Sequence, residues 1–182
     1  MATVNAAKLE GRRLSLRPMI PEDAGALFAA VESSREILKR RLRWVGNISA
    51  ESDETAFIQR ASRESPIWGV FETRSDKFVG VSGLSPILPE DRSQLRFGVW
   101  IRTDRHDRGY ASEVGKLVID FAFRKLGCHR ISARLDPANR SFRRVLKKLG
   151  FRYEGCLRDD QRLNGRWVDQ ECWGLLKSER KR

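Results

Sequence analysis

The sequence predicts a single α+β domain whose sheet is mostly antiparallel. Three observations lead there. Short runs of alternating apolar and polar residues recur in neighbouring stretches, as paired strands require. Two amphipathic segments, from about Tyr110 to Leu126 and from Ala138 to Leu149, sit between such runs in the C-terminal half. Asn164-Gly165 joins the last two runs and is the strongest short hairpin signal in the chain. With 182 residues, 40% of them hydrophobic and 33% charged, the chain suits one core inside a solvated shell. No repeat, linker or low-complexity stretch divides it, so one domain is expected over 1–182, with 1–8 and 177–182 as loose ends.

The elements follow in order. Leu9 to Met19 alternates, with Leu14 and Leu16 on one side and Arg13, Ser15 and Arg17 on the other, and reads as a first strand closed by Pro18 and Pro21. Pro21-Glu22-Asp23 suits the first turn of a helix, where a missing donor costs nothing and acids meet the positive dipole end. Ala24, Leu27, Phe28 and Val31 supply its stripe. A second short helix is expected over Ser34–Leu42, and a third from a Ser49 cap to about Ser62, with Phe57, Ile58 and Ala61 inward. Ile67–Thr73 and Phe78–Leu84 read as strands across the turn Arg74-Ser75-Asp76-Lys77. Pro86–Arg92 reads as a polar loop and Leu95–Ile101 as a strand. The helix from Tyr110 carries Ala111, Val114, Val118, Phe121 and Ala122 at helical spacing. Arg130–Leu135 alternates as a strand, and the next helix ends at Gly150, a C′ glycine. Phe151–Gln161 and Trp167–Leu176 form the final pair.

Charge narrows the function classes. Thirty-six Lys and Arg against 24 Asp and Glu give +12, a field that attracts polyanions: nucleic acid, an anionic surface or a phosphate-rich ligand. The basic residues are spread along the chain, as on a solvated surface. Mean hydropathy is −0.52 and no apolar run approaches the roughly 20 residues of a spanning helix, so no membrane partner is expected. No apolar stretch follows Met1, and Cys128, Cys156 and Cys172 are widely spaced without CxxC or Cys/His pairing. Reduced thiols, a cytoplasmic location and no metal are the expectation.

Ile101 to Ser112 carries the chemistry. A strand there enters a loop with Gly109 and then a helix start, whose free N–H groups and dipole make an anion site. Gly109 admits a close backbone approach, Ala111 and Ser112 leave room for a phosphate, and Arg102, Arg105 and Arg108 surround it with positive charge. The same residues also fit an ordinary loop with a solvated basic rim.

The run Arg108-Gly-Tyr-Ala-Ser-Glu113 after Gly98-Val-Trp-Ile101 resembles the acetyl-CoA loop of the GNAT N-acetyltransferases, most of all their Rim-type branch (RimJ/RimL-like), whose founding members acetylate ribosomal-protein N-termini. Asn139 followed by a helix ending in Lys148-Leu-Gly-Phe151 resembles the branch as well, as do Glu154-Gly-Cys-Leu-Arg158, Asn164-Gly-Arg-Trp-Val-Asp169, Leu14-Ser-Leu-Arg-Pro18 and Leu42-Arg-Trp44. Most of the chain is covered. Two departures stand out: His106 replaces the usual Gln or Arg three residues before the glycine, and Phe142 stands where a Ser follows the Asn. The tyrosine that protonates the thiolate in many GNAT enzymes is absent, its stretch reading Val145-Leu146.

The resemblance implies a GNAT-like central mixed sheet, mostly antiparallel and flanked by helices, with a splayed strand pair holding acetyl-CoA as co-substrate. It implies cofactor contacts from Val99, Trp100 and Ile101 on the strand, from His106, Arg108, Gly109, Tyr110, Ala111 and Ser112 in the loop, and from Asn139 and Lys148, with the Arg143-Arg144 pair also near the phosphates. Asp169 is the candidate base, with Glu171 behind it, and equally a turn or salt-bridge residue; Ser141 is the candidate proton relay to the thiolate. Trp44, Trp68 and Trp100 either line the acceptor side, where they could stack a flat group, or pack the core. The expected activity is acetyl transfer to an amine, foremost a ribosomal-protein-like N-terminal α-amine. The alternatives are a small amine such as an aminoacyl nucleotide, antibiotic or polyamine, and a non-catalytic module bound to RNA or ribosome. A monomer and a homodimer are both compatible with the sequence.

Overall fold

Alternation at the N-terminus makes β1 (Leu9–Glu10) and β2 (Leu14–Pro18), which pair antiparallel. The structure is a computed structural model and describes residues 6–88 and 91–180. Ala6 packs on the core and the Ala7 carbonyl accepts from Trp68 Nε1 at 2.8 Å, so the expected loose end is anchored from there on; residues 1–5 lie outside the described residues.

Pro21–Asp23 forms a single 3₁₀ turn, held by the Arg17–Asp23 ion pair at 2.7 Å, and leads straight into α1 (Ala24–Lys39). The expected break at Ser34 does not occur. Ser34 is buried, and its hydroxyl accepts the Thr103 N–H at 3.2 Å, so a polar residue inside the helix ties it to the loop beyond the sheet. α2 (Glu51–Glu64) is capped differently from the expectation: the Asp53 carboxylate reaches back to the N–H groups of Ser49 and Ala50, at 2.8 and 3.0 Å.

β3 (Ile67–Glu72), β4 (Phe78–Leu88) and β5 (Asp91–Ile101) make a meander. Pro86–Leu88 and Asp91–Arg92 prolong the strands rather than forming the expected polar loop, because ladder pairing reaches Leu88–Asp91; residues 89–90 at its tip lie outside the described residues. α3 (Tyr110–Arg124), β6 (Arg130–Leu135) and α4 (Arg140–Leu149) follow, α4 stopping at Gly150 with φ +90°. β7 (Arg152–Leu163) and β8 (Arg166–Leu176) close the chain across Asn164 and Gly165, whose φ of +49° and +81° suit a turn built for these two residues. The C-terminal loose end is also shorter than expected. Lys177–Glu179 makes a 3₁₀ turn, with Lys177 N–H on the His129 carbonyl at 2.9 Å and Glu179 paired to Arg152 at 2.8 Å; residues 181–182 lie outside the described residues.

The eight strands form one sheet in the order β1-β2-β3-β4-β5-β6-β8-β7, antiparallel except between β5 and β6. α3 and α4 cover one face over Leu14, Leu16, Trp68, Val70, Leu95, Phe97, Ile131 and Trp173, and α1 and α2 cover the other over Met19, Phe71, Phe78 and Val81. The parallel pair is short. Gln94–Arg96 lie against Arg130–Ser132, and beyond that point β5 and β6 part. Phe97–Ile101 therefore present backbone groups to a gap instead of a neighbouring strand. This gap positions the site.

Candidate active site

The cleft between the parting strands has a volume of about 440 Å³ and runs from the α3 start to the end of α1. Val99, Trp100 and Ile101 line it from β5, and Gly109, Tyr110, Ala111 and Ser112 from the loop and helix start. Asn139, Ser141, Val145 and Lys148 line it from α4.

Gly109 is the N-cap of α3 at φ +75°, a conformation that side-chain-bearing residues enter at a cost of about 1–2 kcal/mol. A Cβ there would meet only Arg13 Nη2, at 3.6 Å, so an anion can approach the backbone closely. The first helical bond at this end is Glu113 N–H to the Gly109 carbonyl, which leaves the N–H groups of Tyr110, Ala111 and Ser112 free of helix partners. An anion fits here.

Distant residues brace this loop. Arg13, in the β1–β2 turn, donates its N–H and Nε to Glu113, each at 2.8 Å, and its Nη1 to the Arg108 carbonyl at 2.9 Å, while its guanidinium lies 5.0 Å above the Tyr110 ring. Burial pushes the Glu113 carboxyl up, but the bonds from Arg13 outweigh it and hold it below its ordinary value. The Tyr110 hydroxyl donates to Glu72 on β3 at 3.0 Å, and Arg105 pairs with the same carboxylate at 3.2 Å. The Ser75 hydroxyl, ahead of Tyr110, holds Glu72 low against the rise from burial. Tyr110 thus offers the cleft its backbone, its phenol being engaged elsewhere. His106 lines the cleft, is exposed, and donates Nε2–H to the Ile101 carbonyl at 2.9 Å, bracing the strand end. Arg108 is exposed and does not line the cleft.

The α4 start is built on Asn139. Its Oδ1 accepts the Phe142 N–H at 3.2 Å as an N-cap and also accepts Arg41 Nη1 at 3.1 Å from beyond α1. Ser141 is exposed on the cleft wall.

Besides Arg108, three expected site residues lie outside the cleft lining. Trp68 is 0% exposed, packed edge-on to Phe121 with centroids 5.4 Å apart, and is core; no acceptor can reach it. Trp44 is 36% exposed and stacks on Phe57, touching the cleft only through Trp100, whose centroid is 6.3 Å away. Asp169 does not line the cleft: its carboxylate accepts the Asp159 N–H at 3.0 Å, across a β-bulge where Asp159 has φ +49°. Successive strand residues face opposite ways, and it is Gln170 that lines the cleft and is buried there. Glu171 is tied to Arg143 at 2.6 Å and to Trp173 Nε1 at 2.9 Å; these bonds outweigh burial and keep its carboxyl below the ordinary value.

Residues that the sequence reading missed complete the lining. Among them are Arg41 and its apolar neighbours Ile37, Leu38 and Leu42, Asp107 in the loop, Arg134, Leu135 and Asp136 toward the end of β6, and Gln161 with Gln170. Of these only the Leu42-Arg-Trp44 run offered a signal. Asp107 and Asp136 are the carboxylates of the lining, and Asp136 Oδ1 accepts the Ala138 N–H at 2.7 Å, leaving Oδ2 for another partner.

Comparison with known proteins agrees with this geometry. The family model described as the acetyltransferase (GNAT) domain matches residues 13–152, well over half of the chain. The uncharacterized N-acetyltransferase YoaA of Bacillus subtilis is 31% identical over 176 residues, covering 93% of this chain and 96% of that protein. RimJ of Mycobacterium smegmatis, solved with CoA-disulfide, superposes with a TM-score of 0.88 at 21% identity, over 97% of this chain and 90% of that one. The microcin C7 self-immunity acetyltransferase MccE, solved with acetyl-CoA and AMP, gives 0.82 at 17% identity, over 91% and 93%. These two structural likenesses establish the shared fold. The gap between β5 and β6, the helix start at Gly109 and the family match converge, and the chain belongs to the GNAT acetyltransferases, which use acetyl-CoA as acyl donor.

Proposed function

We propose that the protein acetylates an N-terminal α-amine of a polypeptide, of the ribosomal-protein kind. The observation that carries this is the reach of the cleft: Gly109 and the α3 start line one part of it, and the end of α1 with Gln161 and Gln170 of β7 and β8 lines another, which suits an acceptor. The hairpin turn is tied to the end of α1 by Asn164 Nδ2 donating to the Lys39 carbonyl at 3.0 Å, and this fixed wall on the acceptor side suits a chain end. The net charge of +12 favours work beside RNA, where a basic acceptor's own charge is neutralised.

Acetyl-CoA, when bound, supplies the activated acyl group. The free N–H groups of Tyr110, Ala111 and Ser112 bind its pyrophosphate, with Arg144 and Lys148 lending charge from α4. The open edge of Val99–Ile101 orients the pantetheine arm and offers N–H groups where negative charge develops on the acyl oxygen. Asp136 takes the proton from the ammonium group of the acceptor, and Ser141 holds the proton that the sulfur recovers. Asn139 caps α4 and ties its start to Arg41 beyond α1.

A flat small acceptor, such as an aminoacyl nucleotide, is favoured by one observation, the exposed Trp44 ring beside Trp100. Thiol release over a panel of peptides, polyamines and aminoacyl nucleotides separates the readings, and the peptide is expected to win. Acetyl-CoA should raise the melting temperature by mass action; stabilisation by RNA and not by acetyl-CoA would favour a binding module instead.

A further inference from the structure

Five cations line the cleft, and the structure sorts them. Arg105 is paired with Glu72 and Asp104, and Arg134 with Asp160 at 2.7 Å. Among the described residues, Arg41, Arg144 and Lys148 form no ion pair. Arg144 and Lys148 are four residues apart on α4 and share a face. Arg41 belongs to a different part of the cleft. It meets α4 at Asn139, nine residues and therefore about 13 Å of helix from Lys148.

Arg41 is exposed on the cleft wall, and Asp136, the carboxylate lining the cleft near Asn139, forms no ion pair with it among the described residues. Ile37, Leu38 and Leu42 lie beside it on the α1 side, with the amides of Gln161 and Gln170 also lining this cleft. Among the described residues, only Nη1 of the guanidinium is engaged, by the neutral Asn139 Oδ1, which leaves Nη2 and Nε as donors. A guanidinium beside apolar and amide groups, with no carboxylate paired to it among the described residues, is free to receive an anion, and its planar fork matches the two oxygens of a carboxylate or phosphate.

We propose that Arg41 determines acceptor specificity by binding an anionic group, carboxylate or phosphate, carried next to the amine that is acetylated. The proposal rests on the acetyltransferase reading and names the substrate class of the same cleft. It differs from steering by overall charge. Removing Arg41 lowers the net charge only from +12 to +11, so the long-range field persists while the local fork is lost.

The test compares kcat/KM for three peptides that differ at the second residue, Ser-Ala, Ser-Asp and Ser-phosphoserine, and for ethanolamine against phosphoethanolamine. The parent, Arg41→Gln and Arg41→Lys are assayed with saturating acetyl-CoA. In the parent, the anionic member of each reactive pair should exceed the neutral one by about ten- to a hundredfold, the range for a hydrogen bond to a charged group. Arg41→Gln should bring that ratio close to one, and Arg41→Lys should retain part of it. The Asp and phosphoserine arms identify which anion is preferred. Turnover of the small amines and not of the peptides would refute the N-terminal reading while leaving the Arg41 ratio measurable. Calorimetry of the Ser-Asp peptide on CoA-saturated protein gives the comparison without turnover, with a Kd at least tenfold weaker expected in Arg41→Gln. An equal Kd, or a ratio unchanged in Arg41→Gln, overturns the proposal.

Discussion

Glu54 offers the sharpest test of the energetics, because it is a buried carboxyl on α2 with one oxygen, Oε1, lacking a hydrogen-bond partner among the described residues. It is 1% exposed. Burial, with a smaller contribution from the Asp53 carboxylate and against the pull of Arg35, raises its pKa from 4.5 to about 7. Its folded-state value lies above its unfolded one, so between them the native state keeps a proton that the unfolded chain has released. Stability therefore falls as pH rises from 4.5 to about 7 and stays low above that. At 1.36 kcal/mol per pH unit, the ionised group costs about 3 kcal/mol. Glu54→Gln keeps the volume and removes the charge. For a chain of this size that amount corresponds to about 6–12 °C in Tm. Scanning calorimetry of both proteins from pH 5 to pH 8 should show near-equal Tm at pH 5 and a growing advantage of Glu54→Gln to pH 8. Parallel Tm curves would refute the assignment of this pH dependence to Glu54.

Three further outcomes follow from the site. Gly109→Glu should abolish acetyl-CoA binding by calorimetry, because a like charge would fill the anion site, whereas Gly109→Ala should cost only about 1 kcal/mol of backbone strain, read in thermal unfolding. Asp169→Asn should leave the pH profile of kcat/KM like the parent's and lower Tm by a few degrees at most, since its carboxylate serves the β7–β8 bulge; a shifted profile would return it to the chemistry. Arg13→Ala should raise the Kd for acetyl-CoA several-fold although Arg13 does not line the cleft, because it unties Glu113 and the Arg108 carbonyl from the β1–β2 turn. An unchanged Kd would show that the loop holds its shape unaided.

Some of this molecule was legible residue by residue. Arg130–Leu135 forms the strand its alternation predicts, and Asn164-Gly165 and Gly150 adopt the positive φ values that suit their residue types. The strand-to-helix junction at Gly109 was readable for the same reason: a helix start exposes N–H groups whatever packs around it. The break expected at Ser34 failed because a partner 69 residues away, Thr103, satisfies the hydroxyl.

The sequence by itself determined the periodicities, the turns, the glycine loop at the α3 start and, through its motifs, the family, since all of these depend on residues close together in the chain. Only the tertiary structure decided which side chains share the cleft. Gln170 and not Asp169 lines it, because register and a bulge set the face each presents, and a shift of one residue exchanges the faces. Arg13 reaches Glu113 over 100 residues and Arg41 reaches Asn139 over 98, contacts that exist only once the sheet order is made. Trp68 became core and Trp44 stayed at the surface, although composition treats the two alike, because burial is a property of the packed layers and not of the residue.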